Sequence, residues 1–134
     1  MFPQKILVVD DDEPLRFALS LSLKMSGFRL ETAGNGREAL DKILSAIEGK
    51  SPFDLLITDI IMPEMNGLEL VERLSHAGVK IPVLVMSAHA RGAKIFCPLP
   101  RKGIACFLEK PFNMEEMIHS VNLLLKNADT PVTI

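Results

Sequence analysis

Five carboxylates, a hydroxyl and a lysine stand at the ends of apolar runs in this chain. The run Lys5–Asp10 (KILVVD) ends in Asp10, Asp11 and Asp12; Asp54–Thr58 (DLLIT) ends at Asp59; Pro82–Ser87 (PVLVMS) ends at Ser87; and Ala105–Leu108 (ACFL) is followed by Glu109, Lys110 and Pro111. A buried strand needs no charge at its tip, and an unpaired carboxylate in low dielectric costs roughly several kcal/mol. Two carboxylates about 4 Å apart repel by about 4 kcal/mol at an effective dielectric of 20. Such a cluster raises its pKa values or recruits a divalent cation. An oxygen-only site with few protein ligands favours Mg²⁺, which keeps several waters and shares its coordination with a phosphate; Mn²⁺ suits the same donors. A lysine and a hydroxyl at the same point suit a phosphoryl group, whose oxygens need positive charge and donors. In that setting Asp59 reads as a nucleophile that attacks phosphorus to give an aspartyl phosphate.

That chemistry requires the strand ends to meet. The apolar runs alternate with helical patterns. Leu15, Ala18 and Leu19 follow Pro14 and stop at Gly27. Leu40, Ile43, Leu44 and Ile47 mark one face behind Asn35 and Glu38, which are spaced as a capping box. Leu68, Val71 and Leu74 end near Gly78, and Met117, Ile118, Val121 and Leu125 follow a cap at Asn113. Phe28, Leu30 and Thr32 alternate with Arg29 and Glu31 as in a half-buried edge strand. Strands alternating with helices imply a parallel sheet covered on both faces. The expectation is an α/β, doubly wound, five-stranded sheet of order 2-1-3-4-5, flavodoxin-like, with five crossover or flanking helices. Ligands then bind beyond the carboxyl ends of the strands at the switch point, between the first and third strands. That brings Asp10, Asp11 and Asp59 into one cleft, facing Ser87 and Lys110.

Composition excludes several classes. The 134 residues suit one domain, expected over residues 4–126 with a short tail at 127–134; 48% are hydrophobic and 24% charged, which supports one filled core. A net charge of −2 carries no basic stripe for direct nucleic-acid binding. Cys97 and Cys106 form no CxxC and read as reduced thiols. No apolar stretch approaches the ~18 residues of a membrane span. A cytoplasmic location is expected.

The chain resembles the receiver domain of two-component response regulators (chemotaxis-regulator-like). The resemblance is carried by ILVVDDDEPLR (Ile6–Arg16), LLITDIIMPEMNG (Leu55–Gly67), VLVMSA (Val83–Ala88) and FLEKPF (Phe107–Phe112), in order at strand ends. It implies that Asp59 takes a phosphoryl group from a histidine kinase or phosphotransfer domain in a Mg²⁺-dependent reaction and signals to a downstream protein or detached output domain. It implies metal ligation by Asp10, Asp11, Asp59 and the Ile61 backbone carbonyl, with Asp11 favoured over Asp10 as a direct ligand. Ser87 matches the hydroxyl that meets the phosphoryl group, Lys110 its cationic partner and Phe107 the aromatic switch. The resemblance also implies a cis Lys110–Pro111 bond and weak phosphorylation-dependent dimerisation.

Three features depart from the pattern or qualify it. Pro98 and Pro100 cannot sit inside a helix without a cost near 3 kcal/mol each, so the fourth helix is expected to be short or irregular. Ile61 places an apolar side chain where receivers often carry a polar one. His89, two residues past Ser87, stands where it could influence phosphoryl lifetime. Asp12 and Glu13 read as the cap and first-turn acid of a helix. Two other classes fit parts of the sequence. A haloacid-dehalogenase-like phosphatase would use Asp10 as nucleophile and Asp12 as acid/base, leaving Asp59 and MPEMNG unexplained. A receiver-like binding module would never take up phosphate.

Overall fold

The computed structural model describes residues 3–87 and 104–128. In chain order the elements are β1 (Lys5–Val9), α1 (Glu13–Met25), β2 (Arg29–Ala33), α2 (Gly36–Glu48), β3 (Leu55–Asp59), α3 (Gly67–His76), β4 (Val83–Ser87), β5 (Ile104–Glu109) and α4 (Met114–Ala128). The five strands form one parallel sheet in the order β2-β1-β3-β4-β5, as expected from the alternation of apolar runs and helices. The expected irregular fourth helix, His89 and the Pro98–Pro100 stretch lie outside the described residues.

Alternation along the strands divides the apolar side chains between two cores. Leu7, Val9, Leu56, Val83 and Val85 pack with Ala39 and Ile43 of α2 and Leu70, Val71 and Leu74 of α3. Ile6, Val8, Leu55, Ile57, Leu84 and Met86 pack with Leu19 and Leu23 of α1 and Met117, Val121 and Leu125 of α4. The central strands are buried on both faces, which is why they read as continuous apolar runs rather than alternating ones. Each fully buried Leu or Ile contributes about 1.5–3 kcal/mol from removal of its surface from water.

Helix starts are fixed locally. Asp12 caps α1 by accepting from the Leu15 amide, with Pro14 in the first turn. Asn113 caps α4, accepting from the Glu116 amide at 2.8 Å. At α3, Asn66 and Glu69 form a reciprocal capping box. The pair Asn35 and Glu38 forms only half of the expected box. Asn35 accepts from the Glu38 amide at 2.8 Å, but the Glu38 carboxylate accepts from Gly34, one residue earlier, at 3.0 Å. On α2 the buried line runs through Ala39 and Ile43, whereas Leu44 and Ile47 are exposed. Ile47 lies in the last turn, and the inward face is narrower than the sequence spacing predicts. A second exposed apolar row, Phe17, Leu21 and Met25, follows i, i+4 spacing along the outer side of α1.

Candidate functional site: an acidic pocket at the carboxyl edge of the sheet

β1 and β3 are neighbours, with Val9 opposite Thr58, so the residues that follow each strand emerge side by side. Asp10, Asp11 and Asp59 each bring a carboxylate oxygen within 4.8 Å of the others. Asp10 and Asp59 are buried and Asp11 is exposed. At that separation each pair of charges repels by about 3 kcal/mol at an effective dielectric of 20.

Lys110 relieves part of this repulsion. It follows β5, and its Nζ donates to Asp10 Oδ2 at 3.1 Å and to Asp59 Oδ2 at 3.2 Å. The remaining carboxylate oxygens take backbone donors: Asp12 N–H gives to Asp10 Oδ1 at 2.9 Å, and Ile60 N–H gives to Asp59 Oδ1 at 2.8 Å. Burial pushes the Asp10 carboxyl above its ordinary value; the Asp12 amide and Lys110 pull it back without cancelling the shift. Burial works to lower the Lys110 pKa, but the charge of Asp59 and the hydrogen bond and charge of Asp10 outweigh it and raise the ammonium above its usual value. Three carboxylates against one ammonium leave an oxygen-only cluster with negative charge in excess, which fits a hard divalent cation.

The surrounding loops fix these side chains. The Lys110 amide donates to the Ser87 carbonyl at 2.7 Å, and the Lys110–Pro111 bond is cis, as the resemblance implies. Ser87 is buried at the end of β4, one residue past Met86, which lies opposite Asp59. Phe107 lies opposite Val85 and is half-buried against the α2/α3 core. Ile61 exposes its side chain at the pocket rim. Beyond it, Met65 is buried and its amide donates to the Pro63 carbonyl at 2.7 Å, across Glu64 at φ 67°. α3 then starts hard against β3: a Cβ on Gly67 would overlap the Asp59 carbonyl oxygen and come within 3.1 Å of Ile60 Cα.

Arg16, not among the site residues expected from the sequence, also serves the pocket: its Nη1 donates to the Asp10 carbonyl at 2.7 Å. The available signal was its spacing, one helical turn past the cap Asp12 on the helix that begins at the pocket.

The response regulator receiver domain family matches residues 6–122. The chain is 38% identical over 124 residues to the response regulator MprA of Mycolicibacterium vanbaalenii, covering 92% of this chain and 51% of that protein. It therefore spans about half the length of the curated relatives it matches. Among solved structures, the response regulator TrrA of Thermotoga maritima, in complex with Mg²⁺–BeF, superposes with a TM-score of 0.76 at 30% identity, covering 90% of this chain and 98% of that one. The chemotaxis protein CheY4 of Vibrio cholerae gives 0.73 at 31% identity, covering 91% and 98%. The fold and acidic pocket define a phospho-accepting signalling receiver, a domain of signal transduction rather than an enzyme with a turnover substrate. The chain belongs to the response regulator receiver domain family.

Proposed function

We propose that Asp59 is the phosphoacceptor and that the pocket around it drives a conformational signal. The observation that carries this reading is the shared Lys110 ammonium, within 3.2 Å of both Asp10 and Asp59, beside three clustered carboxylates. An Asp59 oxygen bonds to phosphorus as the nitrogen–phosphorus bond of a phosphohistidine breaks. That bond's electron pair returns to the imidazole, which keeps or takes a proton from solvent. Lys110 exchanges its contact with Asp59 for one with a phosphoryl oxygen, and the Ser87 hydroxyl donates to another. Asp10, Asp11, Asp59 and the Ile61 carbonyl would hold Mg²⁺, or Mn²⁺, whose positive charge offsets that of the phosphoryl oxygens when bound. Support for this cation comes from the oxygen-only donor set here and from the relative in complex with Mg²⁺–BeF. Phe107, half-buried beside Val85, is the proposed switch that reads movement at Ser87.

The donor is a histidine kinase or phosphotransfer protein, and the setting is the cytoplasm. Among the described residues no helix is long and apolar enough to cross a membrane. The exposed row Phe17, Leu21 and Met25 starts within two turns of the pocket and suits the apolar surface of a donor that must reach Asp59. Intact-mass analysis after incubation with acetyl phosphate and Mg²⁺ tests the acceptor. Wild-type protein should gain one phosphoryl group and Asp59→Asn none. Equal labelling of that variant would sink the assignment, and labelling lost only in Asp10→Asn would favour the phosphatase chemistry.

A further inference from the structure

We infer that Arg16 is a positioning residue for the acidic pocket: by holding the Asp10 carbonyl from behind, it aims Asp10 and Asp11 at a divalent cation. The inference rests on the reading of this pocket as a cation site.

Two cations serve the cluster in different ways. Lys110 contacts the carboxylate oxygens themselves, at 3.1 and 3.2 Å, and so stands where a metal would need those oxygens. Arg16 acts on the backbone instead. Its Nη1 gives a 2.7 Å bond to the backbone oxygen of Asp10. That oxygen and the Asp11 amide belong to one rigid peptide plane. Fixing the oxygen fixes the plane, and with it the direction from which the Asp11 side chain departs. The same turn carries the Asp12 amide to Asp10 Oδ1 at 2.9 Å. One arginine therefore anchors the segment that supplies two of the three clustered acids.

The guanidinium is itself held. Arg16 is half-buried and lies one turn into α1, whose start is fixed by Asp12. On its other side a Cβ added to Gly34 would stand 3.4 Å from Nη1, so the group fills the gap between α1 and the β2–α2 turn. Gly34 donates to Glu38 Oε1 at 3.0 Å. The Gly34 amide, acting against partial burial, and then the charges of Lys42 and Arg16 hold the Glu38 carboxyl below the usual carboxylate range. The planar, always charged fork of arginine suits such a bridge better than a flexible ammonium.

The sign of one measurement separates positioning from charge. Removing a nearby positive charge, taken alone, tightens the binding of a cation. Losing a group that orients metal ligands typically weakens it, by about 10–100-fold. Calorimetric titration of the full chain with Mg²⁺ alone, with no phosphodonor, should show Arg16→Met binding about tenfold more weakly than wild type. Arg16→Lys, which keeps the charge and one donor, should fall between the two. Arg29→Met, which removes an arginine bonded to the Pro3 carbonyl, should bind as wild type does. Affinity in Arg16→Met equal to or above wild type overturns the inference, as does an equal loss in Arg29→Met. A metal-free readout stands beside this one. Hydrogen exchange of the Asp12 amide should quicken in Arg16→Met, and unchanged exchange also overturns the inference. If wild-type protein binds no Mg²⁺, the cation reading of the pocket fails by itself, and Asp12 exchange still decides whether Arg16 holds the turn.

Discussion

Replacing Lys110 with methionine should destabilise the metal-free protein by about 3 kcal/mol near neutral pH. The ammonium lies 3.1 Å from Asp10 and 3.2 Å from Asp59, with its side chain only 18% exposed. At an effective dielectric of 20 each contact is worth about 5 kcal/mol before desolvation. Removing one partner of a buried pair costs roughly 3–5 kcal/mol, because the other charge stays buried. The lower end applies here, since both carboxylates keep an amide donor, from Asp12 and from Ile60. The pH dependence has a definite sign. Lys110 is raised above 10.5, so its stabilising contribution is full below that value and is lost as pH climbs through the higher folded value. Burial raises Asp10 above 3.8, so its ionisation penalises the folded state; the penalty is absent below 3.8 and complete above the folded value. Without Lys110 that penalty grows, and the gap between variant and wild type should narrow as the solution is acidified toward 3.8. Urea unfolding in chelator across this range measures the gap. At a fixed Mg²⁺ concentration the gap should shrink, since the variant's freed carboxylate oxygens bind the ion more tightly and gain more from RT ln(1 + [L]/Kd). Equal urea midpoints at neutral pH, or a gap that widens on acidification, would refute the electrostatic account.

Other perturbations test the positioning of the pocket and its approach surface. Gly67→Ala pushes a methyl into the Asp59 carbonyl and Ile60 Cα, both backbone, so it should cost about 1–3 kcal/mol in urea unfolding and reduce acetyl phosphate labelling. Unchanged labelling and stability would show that α3 can slide away from β3. Asn66→Ala removes one side of the α3 capping box and should lower stability by about 1 kcal/mol with little change in Mg²⁺ affinity. Phe17→Asp, at a residue 69% exposed, should leave labelling by acetyl phosphate intact while slowing transfer from a protein donor about tenfold, the loss expected of one apolar anchor. Equal slowing with both donors would move Phe17 from the docking surface to the fold itself.

The parts of this molecule that could be read in advance are those where one physical requirement dominates. β1, β3 and β4 must be apolar on both faces, so a carboxylate or hydroxyl at their ends stands out against the run. The meeting of Asp10 with Asp59 then follows from strand order alone. Features set by competition were harder to read. Glu38 had two amides within reach, and it takes that of Gly34, in a setting it shares with Lys42 and, from another helix, Arg16. Leu44 and Ile47 fit an apolar helix face by spacing, but spacing alone does not say how far round α2 the sheet reaches, and both are exposed. Arg16 was marked only by its spacing from the cap Asp12, because its partner is a backbone oxygen, which every residue has.

The two cores have a consequence for how movement can travel. Val83 and Val85 of β4 belong to the α2/α3 interior, and by alternation Ser87 continues their line; Phe107, opposite Val85, packs on that side too. Ile6 and Val8, and Leu55 and Ile57, belong to the α1/α4 interior, and Asp10 and Asp59 continue those lines. A phosphoryl group spanning Asp59 and Ser87 would stitch together two rows that are kept apart along the whole length of the strands. The 2.7 Å bond from the Lys110 amide to the Ser87 carbonyl continues the β4–β5 ladder to this rim. The sheet is thus a partition through most of the molecule and a hinge pin at its carboxyl rim, where a single bound group can pull on both halves at once.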